Sequence, residues 1–423
     1  MTRRSSHGDS GGLFKALCRR NFLQIFLAVC LTGVVLLYFE MYKMSSLMTT
    51  VENAKLSENI RRPVSDTTSV RVPADDSAAP SIAILLTHYL DSAECATTLT
   101  SIYTQAKFPA KLHVYLFEDV DVDPVNEQET TCLRLLCVNA PDICDAHAAT
   151  RIHHKRRHAS DYNGPGPARS IVEGMMPRNH GHEYYLSITT RLEFTSQWDE
   201  TLVSQWTSID NPRAILSLAP PSARTKAWPV DLSTQAILCT GHITAKRANV
   251  ALIAFNPPVL VKEPRGPLPR LVSQYSENFH FGPARALAAA PSDPKVEFVW
   301  DGLAYYRATR WWTRGYDFYA PVVDVVFEHY TPRPTHPVQK AFWGDASLHG
   351  AERTRQQNSL FRVRRVLQFN MGEPAAKEDA KFSVGPARTL DQWVVFSGLD
   401  HRAEFDVSTD KQFQNCGPLV RVA

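Results

Sequence analysis

The 423-residue sequence holds no His-Glu-x-x-His and no phosphate-binding P-loop. Their absence removes the common zinc hydrolases and P-loop nucleotidases. No internal repeat is visible, which excludes solenoids and propellers. No Asn-x-Ser/Thr sequon occurs, so N-glycosylation does not mark a lumenal surface. Charge of one sign is also lacking: 46 Lys and Arg against 43 Asp and Glu leave a net +3. That is too little to imply a nucleic-acid partner. The one basic cluster, Arg151 to His158, reads as a solvated loop. Cys132, Cys137 and Cys144 lie close together but lack a second closely spaced pair or a histidine at finger spacing, so no structural zinc is expected.

What is present is globular. Hydrophobic residues are 44% and charged residues 21%, enough for one large domain or two ordinary ones. Phe22 to Phe39 is apolar except for Gln24, Thr32 and Gly33, near the lower length limit of a membrane-spanning helix. Arg3, Arg4, Lys15, Arg19 and Arg20 precede it, which keeps the N-terminus cytosolic. The bulky Tyr38-Phe39-Glu40-Met41-Tyr42 offers no signal-peptidase site. The expected layout is a cytosolic tail (1–21), a signal anchor (22–39), a polar stem (40–79) and a lumenal domain (80–423). Such a single-pass type II layout with a short span suits the Golgi membrane. In that oxidising lumen Cys95, Cys132, Cys137, Cys144, Cys239 and Cys416 are expected to form disulfides, with the pairing left open.

The lumenal chain predicts an α/β fold, a mostly parallel sheet flanked by helices. Ser81 to Thr87 is a continuous apolar run and reads as a central strand. Asp91 or Ser92 caps a helix whose Ala93, Ala96, Leu99, Ile102, Tyr103 and Ala106 share one face. Leu112 to Phe117 is the next strand, and the βαβ unit implies a parallel sheet. Glu118-Asp-Val-Asp-Val-Asp123 follows; Asp119, Asp121 and Asp123 are candidate ligands for a divalent metal, or simply an acidic loop. Asn163 to Arg169 is a Pro/Gly loop opening a helix at 170–176. Tyr184 to Ile188 is a strand with Thr189, Thr190 and Arg191 at its tip, where open α/β sheets bind ligands. Trp198 to Trp206 and Tyr305 to Thr313 read as helices. Ala214 to Leu218, Val296 to Trp300 and Val322 to Phe327 read as strands, the last with Glu328, His329 and Tyr330 at its exit. Residues 219–270 read as Pro-rich and irregular.

The order of these pieces resembles one family. Asp91-x-x-Glu94-Cys95 with Thr98-Leu99, Gly166-Pro-x-Arg169, and Tyr184-Tyr-Leu-x-Ile188 with Phe194 and Trp198-Asp199 resemble its N-terminal and central blocks. Pro291-x-Asp-Pro294, Asp301-Gly302, Trp312 to Pro321, His329-Tyr330 and Phe396 to Asp400 resemble its C-terminal blocks. The family is that of GlcNAc-transferases with a GT-A-like, Rossmann-type fold, covering polypeptide α-GlcNAc-transferases and hydroxyproline GlcNAc-transferases. The resemblance implies transfer of GlcNAc from UDP-GlcNAc to a protein or glycan hydroxyl, with Mn²⁺ holding the diphosphate.

This chain departs from the family at the chemistry. Thr189-Thr190-Arg191 stands where the family has Asp-Ser-His, and Gly302-Leu303-Ala304 where it has Gly-Glu-Glu. A hydroxyl or methyl cannot replace a metal-ligating carboxylate. Three readings follow. In a metal-free transferase, Arg169, Thr189, Arg191 and His329 would bind the donor diphosphate, with Asp301 as the catalytic group near the sugar or acceptor. In a catalytically silent paralogue, the chain would serve a partner transferase. In a lumenal sugar-binding scaffold, Tyr305, Tyr306, Trp311, Trp312 and Tyr316 would form an exposed platform, although their spacing suits a core.

Overall fold

The computed structural model describes residues 79–121, 131–177, 181–225, 233–244, 252–262, 265–330, 348, 350–368, 377–400 and 415–422. All lie in one compact unit, Pro73–Ala423. The expected tail, span and stem up to residue 78 lie outside the described residues, as does Asp123. Among the described residues no helix is long and apolar enough to cross a membrane.

The chain runs β1 (Ile82–Tyr89), α1 (Ser92–Gln105), β2 (Leu112–Val120), α2 (Cys132–Asn139), β3 (Ile152–His158) and α3 (Pro165–Met175). It continues with β4 (Tyr184–Ile188), β5 (Leu192–Phe194), α4 (Trp198–Thr207) and β6 (Ala214–Ser217). Short strands follow: β7 (Gln235–Ile237), β8 (Gly241–Ile243), β9 (Ile253–Phe255), β10 (Val259–Val261) and β11 (Arg270–Val272). The remainder is β12 (Phe279–Pro283), α5 (Arg285–Ala289), α6 (Leu303–Trp312), β13 (Asp317–Ala320), β14 (Val326–Glu328), α7 (Ala351–Val366) and α8 (Leu390–Ser397).

Eight strands form one sheet in the order β11-β13-β6-β12-β4-β1-β2-β3. β1 pairs in parallel with both β2 and β4, and only β11 and β12 run against the rest. The apolar run of β1 is explained by burial on both faces. Ile82, Ile84 and Leu86 pack into one core with α1 and α4. Ala83 and Leu85 pack into the other with α3 and α6. β2 divides the same way, Leu112, Val114 and Leu116 to the first core, Tyr115 and Phe117 to the second.

Four expectations are corrected. Residues 152–158 form the edge strand β3, not a loop. Its side chains are polar because β2 is its one partner among the described residues, and only Ile152 and the backbone are needed to hold it. α3 begins at Pro165, five residues before the predicted start, with Pro at its first position. Gly166 sits there because a Cβ would lie 3.0 Å from the Val296 carbonyl. Val296 to Trp300 is not a strand; Phe298 turns the chain at φ 55°. The final strand is shorter and later, Val326–Glu328.

The aromatic set named as a sugar platform is core. Tyr305, Tyr306, Trp311, Trp312 and Tyr316 are all buried. Trp312 stacks on Phe396 with centroids 5.2 Å apart, and the Arg388 guanidinium lies 4.7 Å over its ring. The cysteines pair as Cys95–Cys132, Cys137–Cys144 and Cys239–Cys416.

The β1–β2 register sets His88 beside Glu118. His88 Nε2 donates to Glu118 Oε2 at 2.8 Å, and the Cys132 N–H donates to the same oxygen at 2.7 Å. His154 Nε2 lies 2.6 Å from Glu118 Oε1. Burial alone would raise the Glu118 pKa, but these hydrogen bonds outweigh it and hold the carboxyl at about 2.

Two predictions follow from this packing. Trp312→Ala should cost about 3–5 kcal/mol, read by chemical denaturation. A loss under 1 kcal/mol would mean the ring is not core. The depressed Glu118 pKa means its stabilisation is present above the ordinary value near 4.5 and is lost as pH falls toward 2. The stability gap between wild type and Glu118→Gln should therefore shrink by about 3 kcal/mol over that range. A gap independent of pH would refute the assignment.

Candidate functional site

A cavity of about 110 Å³ opens at the C-terminal ends of β1, β2 and β4. Thr87, His88 and Tyr89 come from β1, Asp119 from β2, and Thr189, Thr190 and Arg191 from the tip of β4. α3 adds Pro165, Ala168 and Arg169; Tyr162, Asn278, Trp300 and Glu328 complete the wall. This is the crevice at which an open parallel sheet receives a ligand.

Most charges in the wall are paired, with one another or with side chains just behind it. Arg191 takes a left-handed backbone, φ 68°, and its carbonyl accepts the His329 N–H at 2.9 Å. Its Nη2 donates to Asp91 Oδ1 at 2.5 Å, and its Nη1 lies 3.3 Å from Glu94 Oε1. The Thr190 hydroxyl donates to Asp91 Oδ2 at 2.5 Å. Asp91 holds the N-cap position of α1 but makes no capping bond, because its carboxylate is drawn to Thr190 and Arg191. Burial, then hydrogen bonding and charge from Asp91, raises the Glu94 pKa. Arg169 Nη1 lies 3.0 Å from Glu277 Oε2. Asp119 accepts from Arg157 Nε at 2.6 Å; burial raises its pKa, and Arg157 offsets part of that.

His88 has a defined tautomer. Its Nε2 proton goes to Glu118, so Nδ1 is free to accept the Asp91 N–H at 3.4 Å.

Arg169, Thr189 and Arg191, the expected donor ligands, thus line one cavity. Two other expected residues do not. His329 is 57% exposed in its side chain and lies 3.3 Å from Glu193. Asp301 is in the turn after Trp300 and is not part of the lining. The reason for His329 is strand alternation: successive side chains face opposite ways, so Glu328, not His329, enters the cavity. Glu328 is 8% exposed, and its Oε2 has no hydrogen-bond partner among the described residues. Burial pushes its pKa up to about 7, against smaller lowering effects from Tyr330 and Arg191. The sequence signal for it was its place one residue before His329 on a strand exit. His88, at the end of the first strand, carried no comparable signal.

The described residues do not fit the Mn²⁺ that the resemblance implies. Glu118 and Asp119 lie inside β2, not on an acidic loop, and both are committed to histidine or arginine partners. Asp121 is exposed at the strand end. Among the described residues one cluster, His88, Cys95 and Cys132, has metal-ligand proximity. Its two sulfurs are joined in a disulfide, so they offer no thiolate. A guanidinium at Arg191 would repel a cation.

Solved structures that resemble the chain include GalNAc-T7 with UDP, GalNAc and Mn²⁺, at TM-score 0.41 and 9% identity. The likeness covers 73% of this chain and 56% of that one, so the chain spans little more than half of GalNAc-T7. A mannosyltransferase from Pyrobaculum calidifontis with GDP-Man and Mn²⁺ gives TM-score 0.39 and 12% identity, over 77% of this chain and 72% of that one. S. aureus TarS 1-349 gives 0.35 and 11%, over 71% and 76%. No curated protein sequence matches the chain. The profile of the family described as Glycosyltransferase (GlcNAc) matches residues 125–403, well over half of the 423. The chain belongs to that GlcNAc glycosyltransferase family.

Proposed function

We propose that this chain transfers a sugar, GlcNAc, from a UDP-activated donor to a protein or glycan hydroxyl, and does so without a divalent metal. The supporting observation is the pair of arginines, Arg169 and Arg191, that line the cavity at the C-terminal sheet edge, with Arg191 in place of a metal-ligating residue. A guanidinium binds phosphate oxygens in a bidentate fork. As the bond from the sugar C1 to the diphosphate oxygen breaks, negative charge builds on the leaving UDP. Fixed cations in a water-poor crevice stabilise that charge. Thr189 adds a hydroxyl donor beside them. On this reading the protein is a type II protein of the Golgi membrane, with the catalytic domain in the lumen.

A second reading, a silent paralogue, has one observation in its favour. Arg191 is already held by Asp91 and Glu94, so a diphosphate must compete with two carboxylates for it.

Calorimetric titration of the full-length protein with UDP and UDP-GlcNAc separates these readings, run with Mn²⁺ and with EDTA. UDP should bind in EDTA, and Arg191→Ala should weaken it by roughly tenfold or more, the size of a lost charge-assisted hydrogen bond. Binding that requires Mn²⁺ would overturn the metal-free mechanism. No binding in either condition would overturn the transferase reading and leave the silent paralogue.

A further inference from the structure

Resting on the donor site just proposed, we infer that Glu328 recognises a ring hydroxyl of the transferred sugar. β14 pairs antiparallel with β5, which sets Glu328 opposite Leu192, one residue past Arg191. The Glu328 N–H donates to the Pro221 carbonyl at 2.9 Å, and a bridge to Ser222 holds the other side of the strand. The residue is therefore fixed on both edges, and alternation aims its side chain into the cavity.

Its chemistry differs from that of the other acids there. Asp91 is tied to Arg191 and Thr190 through both oxygens; Asp119 is tied to Arg157 through Oδ1, while its Oδ2 has no hydrogen-bond partner among the described residues. Glu328 makes no ion pair among the described residues; the Tyr330 hydroxyl, which donates to the Pro220 carbonyl, lies beside its carboxyl, and its buried Oε2 has no hydrogen-bond partner among those residues. A buried carboxyl oxygen left unpaired is costly, and such groups are found where a ligand supplies the missing partner. An ionised carboxylate is repelled by a diphosphate, whereas a carboxyl in either protonation state pairs with a hydroxyl.

The same cavity presents the aromatic rings of Tyr89, Tyr162 and Trp300. A sugar ring has apolar C–H faces for such rings and hydroxyls at its rim for an acid. The part of a UDP-sugar that distinguishes one donor from another is that ring. An acid one residue beyond the diphosphate-binding arginine is well placed to read it.

The test compares UDP with UDP-GlcNAc on full-length wild type, Glu328→Gln and Glu328→Ala, in EDTA. Glu328→Gln keeps the shape and guards against misfolding, and its melting temperature is recorded alongside. The expected result is UDP affinity within about twofold of wild type in both variants. UDP-GlcNAc affinity should fall roughly tenfold or more, erasing the increment due to the sugar. If the variants keep that increment, Glu328 does not touch the sugar and the inference fails, with the donor site intact. If they lose UDP itself in equal measure, Glu328 serves the nucleotide or the fold, and the inference also fails. If wild type binds no UDP, the donor site falls and this inference falls with it.

Discussion

A charge taken out of water must find an opposite charge or a full set of hydrogen bonds. The C-terminal edge of this sheet is governed by that constraint. Arg191 lies against Asp91, Arg169 against Glu277, Arg157 against Asp119, and Glu118 against two imidazoles. Each of these pairs joins separate elements. Arg191 bridges the tip of β4 to the start of α1, Arg157 joins β3 to β2, and Arg169 joins α3 to the loop before β12. Breaking one partner of such a pair leaves a buried charge, which costs several kcal/mol. The crevice is thus held open in one shape by its own electrostatics, before any ligand arrives.

The same constraint explains which parts were legible in the sequence. β1, β2 and β4 are buried on both faces, so their sequences are apolar runs with little else they could be. α6 shows its aromatic stripe at helical spacing because that stripe is core. β3 was illegible because an edge strand is held by main-chain hydrogen bonds, which any side chain permits. Basic side chains are moreover what an edge uses to repel unwanted pairing. Val296 to Trp300 misled for the opposite reason. Its apolar residues are buried by a turn, and burial without period does not specify a strand.

The candidate site was half legible, and the line falls between identity and pairing. The presence of Thr189, Thr190 and Arg191 at a strand tip followed from the apolar run before them. That Arg191 reaches back to Asp91 did not, since the two are far apart in sequence and their contact depends on the β1–β4 pairing. Glu118 and Asp119 read as a loop because an acid in a strand interior is unfavourable unless it is paired. Their partners, His88, His154 and Arg157, sit on neighbouring strands that only the register brings alongside. At β14 a difference of one residue decided the matter: a period of two sends Glu328 inward and His329 to solvent, and the strand's start could not be placed that finely from composition.

These pairings set the terms on which a nucleotide-sugar would enter. Creating a fresh cationic site in a dry crevice would be expensive, whereas exchanging one anion for another around a fixed guanidinium is not. Asp91 has somewhere to go if a diphosphate displaces it. It already stands at the N-cap of α1 with its capping bond unmade, and Thr190 still donates to it. An N-cap bond is worth about 1 kcal/mol, which offsets part of the lost ion pair. Glu94, in the first turn of α1 and partly exposed, can return to water at little cost. Glu328 has no such exchange available. Its Oε2, without a hydrogen-bond partner among the described residues, lies in the same crevice, where a ligand hydroxyl can satisfy it.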